Sequence, residues 1–189
     1  RFSVLENPHG ILFNPASIAH AMNDYITNKQ YGHEDLFFHE GLWQSWHHHG
    51  RFAALQPEAA LDAINNSIGQ AHHFLQKANW LMVTLGSAYV YKLKPESPYK
   101  PLSSNRVVAN CHKVSAACFE HSLMGLPACV DTLQALVAGA RAFNPSLKII
   151  FTISPVRHYR EGLVENNRSK ATLHLAVAQI TEQFSDVFY

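Results

Sequence analysis

The sequence predicts an α/β fold, read as a three-layer α/β/α sandwich around a mostly parallel, flavodoxin-like sheet. Two observations lead there: apolar runs of strand length recur along the chain, and stretches of helical periodicity separate them, as in successive βαβ units. The run Trp80 to Tyr91, WLMVTLGSAYVY, organises the rest, because it lacks polar alternation and so reads as a central strand buried on both faces. It breaks at Gly86 and Ser87. Ligands of open α/β sheets gather at the carboxyl ends of strands, and a glycine there lets backbone approach a bound group. Two further runs end in unusual residues: Phe2 to Glu6 before Asn7-Pro8-His9-Gly10, and Leu147 to Ile153 before Ser154-Pro155-Val156-Arg157-His158. The three ends are expected to share one crevice.

Taken in order, Phe2 to Glu6 reads as a short strand. Asn14-Pro15 then starts a helix, with Asn as cap and Pro at the first position. Ile18, Met22, Tyr25 and Ile26 fall on one face, and the helix is expected to end near Asn28. From 29 to 56 no period holds. This insertion contains FFHEGLWQSWHHHGRF, with two tryptophans and four histidines, and is too long for an ordinary connection. It reads as a binding loop, a lid or a satellite packing unit. Pro57 opens a second helix to about Ala78, with Leu61, Ile64, Ile68, Ala71 and Leu75 as its stripe.

After the central run comes a proline-bearing loop, then the short piece Val107-Val108-Ala109 ending in Asn110-Cys111-His112-Lys113. Val130, Leu133, Leu136, Val137 and Ala140 mark a third helix, which Asn144-Pro145 closes. The strand Leu147 to Ile153 stops at Pro155. A last helix spans about Asn167 to Phe184, with Leu173, Val177, Ile180 and Phe184 aligned, and Asp186 begins another strand.

The chain has 189 residues, enough for one domain to bury a continuous core without crosslinks. Its 15 Lys and Arg against 14 Asp and Glu lack the basic surplus of an electrostatic nucleic-acid binder, so no nucleic-acid partner is expected. No apolar run approaches a membrane span, so no membrane partner is expected either. Cys111, Cys118 and Cys129 form no CxxC pair and leave one over in any pairing, which favours a reducing, cytoplasmic compartment.

Candidate chemistry is weighed against plainer roles. His47, His48 and His49 are consecutive and point in different directions, and no HExxH or Cys/His cluster of ligand spacing occurs; no metal or other cofactor is expected, and a metal site on His39 and His47 to His49 is the minor reading. Ser154 and His158 lie four apart, but Pro155 spoils helical spacing and no GxSxG surrounds the serine. Asn110 and His112 point the same way on an extended piece, or form a capped turn. Arg157 and His158, beyond a strand end, are placed to hold an anionic or carbonyl group.

Five blocks, NPHGILFNPASIA, FHEGLWQSWHHH, VTLGSAYVY, VVANCHK and TISPVRHYREGLVENNRSKA, in this order and spacing, resemble the GSCFA domain family, a relative of the SGNH (GDSL-like) hydrolases. The resemblance covers essentially the whole chain. It implies the flavodoxin-like sheet and acyl-ester chemistry, with a small-molecule or carbohydrate acyl ester as partner. In SGNH enzymes a serine after the first strand attacks the ester carbonyl, a histidine of an Asp-x-x-His block accepts its proton, and a glycine and an asparagine help stabilise the oxyanion. Residue by residue, Gly10 and Gly86 match the two glycines, while Ala88 stands where the asparagine is expected, and the resemblance then implies Ser87 as the donor, with Asn110 or His112 as alternatives in the oxyanion hole. Asn110, His112, Arg157 and His158 would line the crevice, and the insertion from His39 to Arg51, with Trp43, Trp46 and His48, would close over the substrate.

The GSCFA segment bearing the nucleophile is expected before Arg1, and the Asp-x-x-His block after Tyr189. The residues given are therefore expected to be catalytically inert alone. In the SGNH sheet the nucleophile's strand lies between the strand at Phe2 to Glu6 and the run from Trp80. Its absence should leave a gap with apolar surface and unpaired backbone. The alternative function is a non-catalytic module on the same fold, binding a carbohydrate or a partner through the aromatic, histidine-rich insertion.

Overall fold

Asn14 and Pro15 start the first helix as their chemistry dictates: the Asn14 side chain accepts a hydrogen bond from Ser17 N at 2.8 Å, and Pro15 occupies the first helical position. The computed structural model describes residues 3–99, 107–157 and 160–189. In chain order the elements are α1 (Pro15–Thr27), β1 (Phe37–His39), β2 (Leu42–Gln44), α2 (Pro57–Leu75), β3 (Trp80–Leu85), β4 (Tyr89–Leu93), β5 (Val107–Val108), β6 (Phe119–Leu123), α3 (Leu126–Phe143), β7 (Lys148–Ile153), α4 (Leu163–Gln183) and β8 (Val187–Phe188). α1 stops where Asn28 takes up a left-handed conformation, which asparagine tolerates better than most residues.

The strands form a mixed α/β arrangement. β3, β7 and β8 make a parallel sheet in the order β3-β7-β8, with Trp80 opposite Lys148 and Leu85 opposite Ile153. β5, β4 and β6 make a separate antiparallel sheet in that order, and β1 and β2 form a hairpin. Strands are therefore not separated by helices throughout, as the sequence suggested. The run from Trp80 to Tyr91 is two strands in two sheets, because both backbone N–H groups at its break, Gly86 and Ser87, turn to the carbonyl of Phe13.

Nor is β3 central: among the described residues it is an edge. Val83 and Leu85 on one face join Ile149 and Phe151 of β7 in the core, against Leu133, Leu136 and Val137 of α3 and Leu173, Val177 and Ile180 of α4. On the alternate positions Trp80 and Met82 are 50% and 70% exposed. An unbroken apolar run cannot reveal that only every second residue is covered.

Residues 3–6, expected as a strand, form no regular element; Phe2 lies outside the described residues. Between Ser3–Pro8 and the free edge of β3 at Trp80 to Met82 runs a groove of about 1320 Å³, walled also by Met22 and Tyr25 of α1 and by the end of α2.

The 29–56 insertion is a packing unit. Tyr31, Leu36 and Phe52 pack on Ala60, Ile64 and Ile68 of α2, while Phe37 and Trp46 pack with Leu93, Val108 and Phe119 of the antiparallel sheet. It fastens α2 to that sheet. The three cysteines are free, and no helix among the described residues is long and apolar enough to cross a membrane.

Candidate functional site

At the carboxyl ends of β3 and β7 the pairing runs one step further, with Ser154 N donating to Leu85 O at 2.8 Å. Gly86 N and Ser87 N donate to Phe13 O at 2.7 and 3.0 Å, which ties the 10–14 segment across the end of β3. A Cβ on Gly86 would meet the Phe13 ring at 3.0 Å, so glycine permits this close approach. From α4, Lys170 Nζ donates to the carbonyls of Gly86 and Ser154, the latter at 2.7 Å. Ser169 Oγ accepts from Ala88 N at 2.8 Å and lies 3.3 Å from Ser87 Oγ. Ser87 Oγ also accepts from Tyr89 N. Beyond the end of β7 an open pocket of about 310 Å³ is lined by Arg157, Asn166, Lys170 and His174 among others.

Gly10 reaches the same region through Phe13, three residues on, a stretch that spans at most roughly 11 Å. It sits at φ +90° after the turn in which Gly10 N donates to Asn7 O. The turn lies against the insertion: His49 N donates to His9 O at 2.9 Å, and Arg51 donates to Asn7 O at 2.7 Å.

Beneath this contact is a buried network centred on Asp24, 3% exposed. Its Oδ2 accepts from the Tyr31 hydroxyl at 2.8 Å and from His9 Nε2 at 3.1 Å. The Tyr25 hydroxyl accepts from His9 N and lies 2.9 Å from His9 Nδ1, to which it donates when Nε2 carries the ring proton. His9 stacks on His48, and His20 on His47. Burial tends to raise the Asp24 carboxyl, but the hydrogen bonds from His9 and Tyr31 and the nearby His20 outweigh it and hold the group below the usual carboxylate range. Burial drives His47 down to about 3 and His48 well below its ordinary value, so both rings are neutral.

The structure divides the expected site residues into two groups. Gly86 and Ser87 stand at the strand end with Phe13, and Arg157 lines the neighbouring pocket; His158 lies outside the described residues. The others belong to packing around the insertion. Trp46 is 2% exposed, stacked face to face on Phe37 at 3.6 Å with Tyr99 and Phe119 edge-on, so it offers no surface to a ligand. Trp43 is half-buried beside Phe38. His48, 1% exposed, directs Nδ1 to Ser45 Oγ at 3.0 Å. Asn110 Oδ1 accepts from His112 N, and His112 Nε2 is 2.7 Å from Ser45 O, the capped turn that was the plainer reading of that pair.

Several residues at these places were not expected. From α4, Lys170 and Ser169 hold the strand ends and Asn166 lines the neighbouring pocket, and Ser169 and Asn166 occupy stripe positions one and two turns before Leu173. Polar residues continuing a buried stripe were the available signal. Asp24 and His9 had none, because α1 and the 7–10 turn meet only in three dimensions.

The GSCFA family model matches residues 1–189, the full length of the sequence. The chain belongs to the GSCFA family. No curated protein and no solved structure gives a match. GSCFA membership thus accords with the five sequence blocks, two of which supply the contacts just described: NPHGILFNP brings Gly10 and Phe13, and VTLGSAYVY brings Gly86 and Ser87.

Proposed function

We propose that this GSCFA chain is the core of an SGNH-like serine hydrolase or acyltransferase acting on acyl esters, acylated carbohydrates included. The observation that carries the reading is the groove between Ser3–Pro8 and the free edge of β3. Along the chain, one wall leads to Gly10 and the other to Gly86. Backbone outside any regular element on one wall and, on the other, a strand edge with no partner among the described residues suit another strand, since rows of alternating N–H and C=O groups are matched only by backbone. A strand lying parallel to β3 in that groove would deliver the residue after it between Gly10 and Gly86. In this reading that residue is the nucleophilic serine, from a segment outside residues 1–189, and its insertion extends the parallel sheet toward the three-layer, flavodoxin-like arrangement.

The chemistry then follows acyl transfer. The serine oxygen bonds to the ester carbonyl carbon while a histidine, also from outside these residues, takes the serine proton. The tetrahedral oxyanion collapses, the carbon–alkoxy bond breaks, and the alcohol leaves with that proton. Water or a second alcohol then takes the acyl group. Gly86 N and Ser87 N are oriented together, as oxyanion donors must be, but both are held by Phe13 O. The reading requires the 10–14 segment to shift when the oxyanion forms or the neighbouring strand is seated.

Turnover of a short-chain nitrophenyl ester by the full natural polypeptide tests the class. Replacing the serine of its GSCFA segment by Ala should lower the rate at least about a thousandfold. No turnover, or turnover indifferent to that change, overturns the reading. The alternative of a carbohydrate-binding insertion loses its best feature with the burial of Trp46.

A further inference from the structure

Beyond the end of β7, side chains that could hold a negative charge converge on the 310 Å³ pocket. We propose that this pocket is a binding site for a compact oxyanion, the carboxylate or phosphate group of a small molecule.

Three features of the pocket carry the proposal. The first is charge: Arg157 and Lys170 are in the lining beside His174, and no Asp or Glu is among its described residues. The second is Lys170. An ammonium has three N–H donors, and two of them are spent on the carbonyls of Gly86 and Ser154. Those two bonds fix the head group at the pocket wall and leave one donor over. A lysine pinned in this way loses little further freedom when an anion arrives, unlike one waving in solvent. The third is Asn166. Only 5% exposed, it lines the pocket, and its side-chain amide makes no hydrogen bond to another described residue. An oxyanion in the pocket can accept from its NH2 group.

Arg157 completes the set. It follows Pro155 on the exposed segment after β7 and is the one side chain of the group with a planar fork of donors suited to two oxygens at once. The pocket also borders the strand end, because Lys170 touches Gly86 and the pocket together. A ligand held there by its charged group would extend toward Gly86 and Ser87. The site does not depend on the ester reading, and its test measures binding and not turnover.

Inorganic phosphate and acetate, titrated separately into the full natural protein and followed by amide NMR, are the probes. Saturable shifts at Asn166, Lys170 and Arg157 with either ion are the expected result, and the ion that saturates first identifies the preferred oxyanion. Arg157→Gln should weaken binding about tenfold, equivalent to about 1.4 kcal/mol, while Arg157→Lys should recover part of the loss. Arg157 is exposed and its replacement leaves the core intact, so an altered fold will not obscure the result. Shifts that never saturate, or an unchanged affinity in Arg157→Gln, overturn the site. The outcome is separable from esterase activity: an active enzyme that binds neither ion refutes the pocket alone, and an inactive protein that binds one refutes only the ester reading.

Discussion

Gly10 shows how one residue position couples two loops. It holds φ at +90°, and a Cβ there would lie 2.1 Å from His49 Cβ. Gly41 has nearly the same φ, +80°, with nothing within 4 Å of where its Cβ would be. The pair separates backbone strain from collision. Gly41→Ala should cost about 1–2 kcal/mol from left-handed strain alone, whereas Gly10→Ala adds overpacking and should cost about 2–5 kcal/mol. Urea unfolding of both variants checks this, and equal losses would show that the 7–10 turn yields freely to His49. The glycine stood out in the sequence after an apolar run, but its neighbour did not. His49 stands 39 positions away in a segment without period, and only the fold sets the two against each other. The same holds at the strand end: Gly86 and Ser87 marked themselves as a break in an apolar run, while Phe13, whose carbonyl takes both N–H groups, looked like one more apolar residue.

Elements declared themselves where local chemistry sufficed. Asn14-Pro15 began α1, the stripe Ile64, Ile68, Ala71 and Leu75 was buried as read, and β7 and α4 fell within a few residues of expectation. What could not be read was which strand pairs with which. β6, FEHSL, has little β-character of its own, and it exists because Tyr89–Leu93 offers it a five-residue antiparallel partner. Asn144 was legible as the residue that closes α3, yet its side chain serves another helix. Only 7% exposed, it donates from Nδ2 to Leu75 O at 2.8 Å and Ala78 O at 2.9 Å, carbonyls at and just beyond the end of α2. Leu75 O otherwise receives only a long bond from Ala78 N at 3.4 Å, so Asn144 caps α2 from α3 and fixes where β3 begins. Asn144→Ala should therefore cost about 2–4 kcal/mol, seen as a lower urea midpoint at unchanged slope. Asn144→Asp keeps the acceptor for Ser146 N but loses both donors, and should be no better than Ala. A loss below about 0.5 kcal/mol would mean that water takes over the two carbonyls.

On the scale of the whole molecule, the insertion turns a composition rich in histidine into a dependence on pH. His47 and His48 are neutral when folded because burial lowers them, His47 to about 3 and His48 well below its usual value, while in the unfolded chain both titrate near 6.5. Above about pH 7 the rings are neutral in both states and contribute no slope. Below pH 6.5 the unfolded state binds protons that the folded state refuses, so the stability these two groups confer is lost as pH falls through that value. Each costs about 1.4 kcal/mol per pH unit once it is well below 6.5, hence about 3 kcal/mol per unit for the pair. The loss continues until the folded rings themselves protonate, about pH 3 for His47. His9 and His112, also lowered by burial, steepen the same limb, although the Asp24 contact partly offsets burial at His9. Asp24 works in the same direction from lower pH. Its folded value lies below the ordinary carboxylate value, so its contribution is present above about pH 4 and is lost as pH falls through the folded value. Domains of ordinary stability have about 5–15 kcal/mol in hand, so acid unfolding should set in between about pH 6 and pH 4, while still well above the range where exposed carboxylates titrate at the upper end. Urea midpoints measured at half-unit steps from pH 8 to pH 4 should stay level down to about pH 7 and then fall with a slope near two protons or more. A flat profile from pH 7 to pH 5 would require His47 and His48 to take up protons inside the fold, which means water reaching rings that here stack on His20 and His9 and meet Tyr31 and Phe52 edge-on.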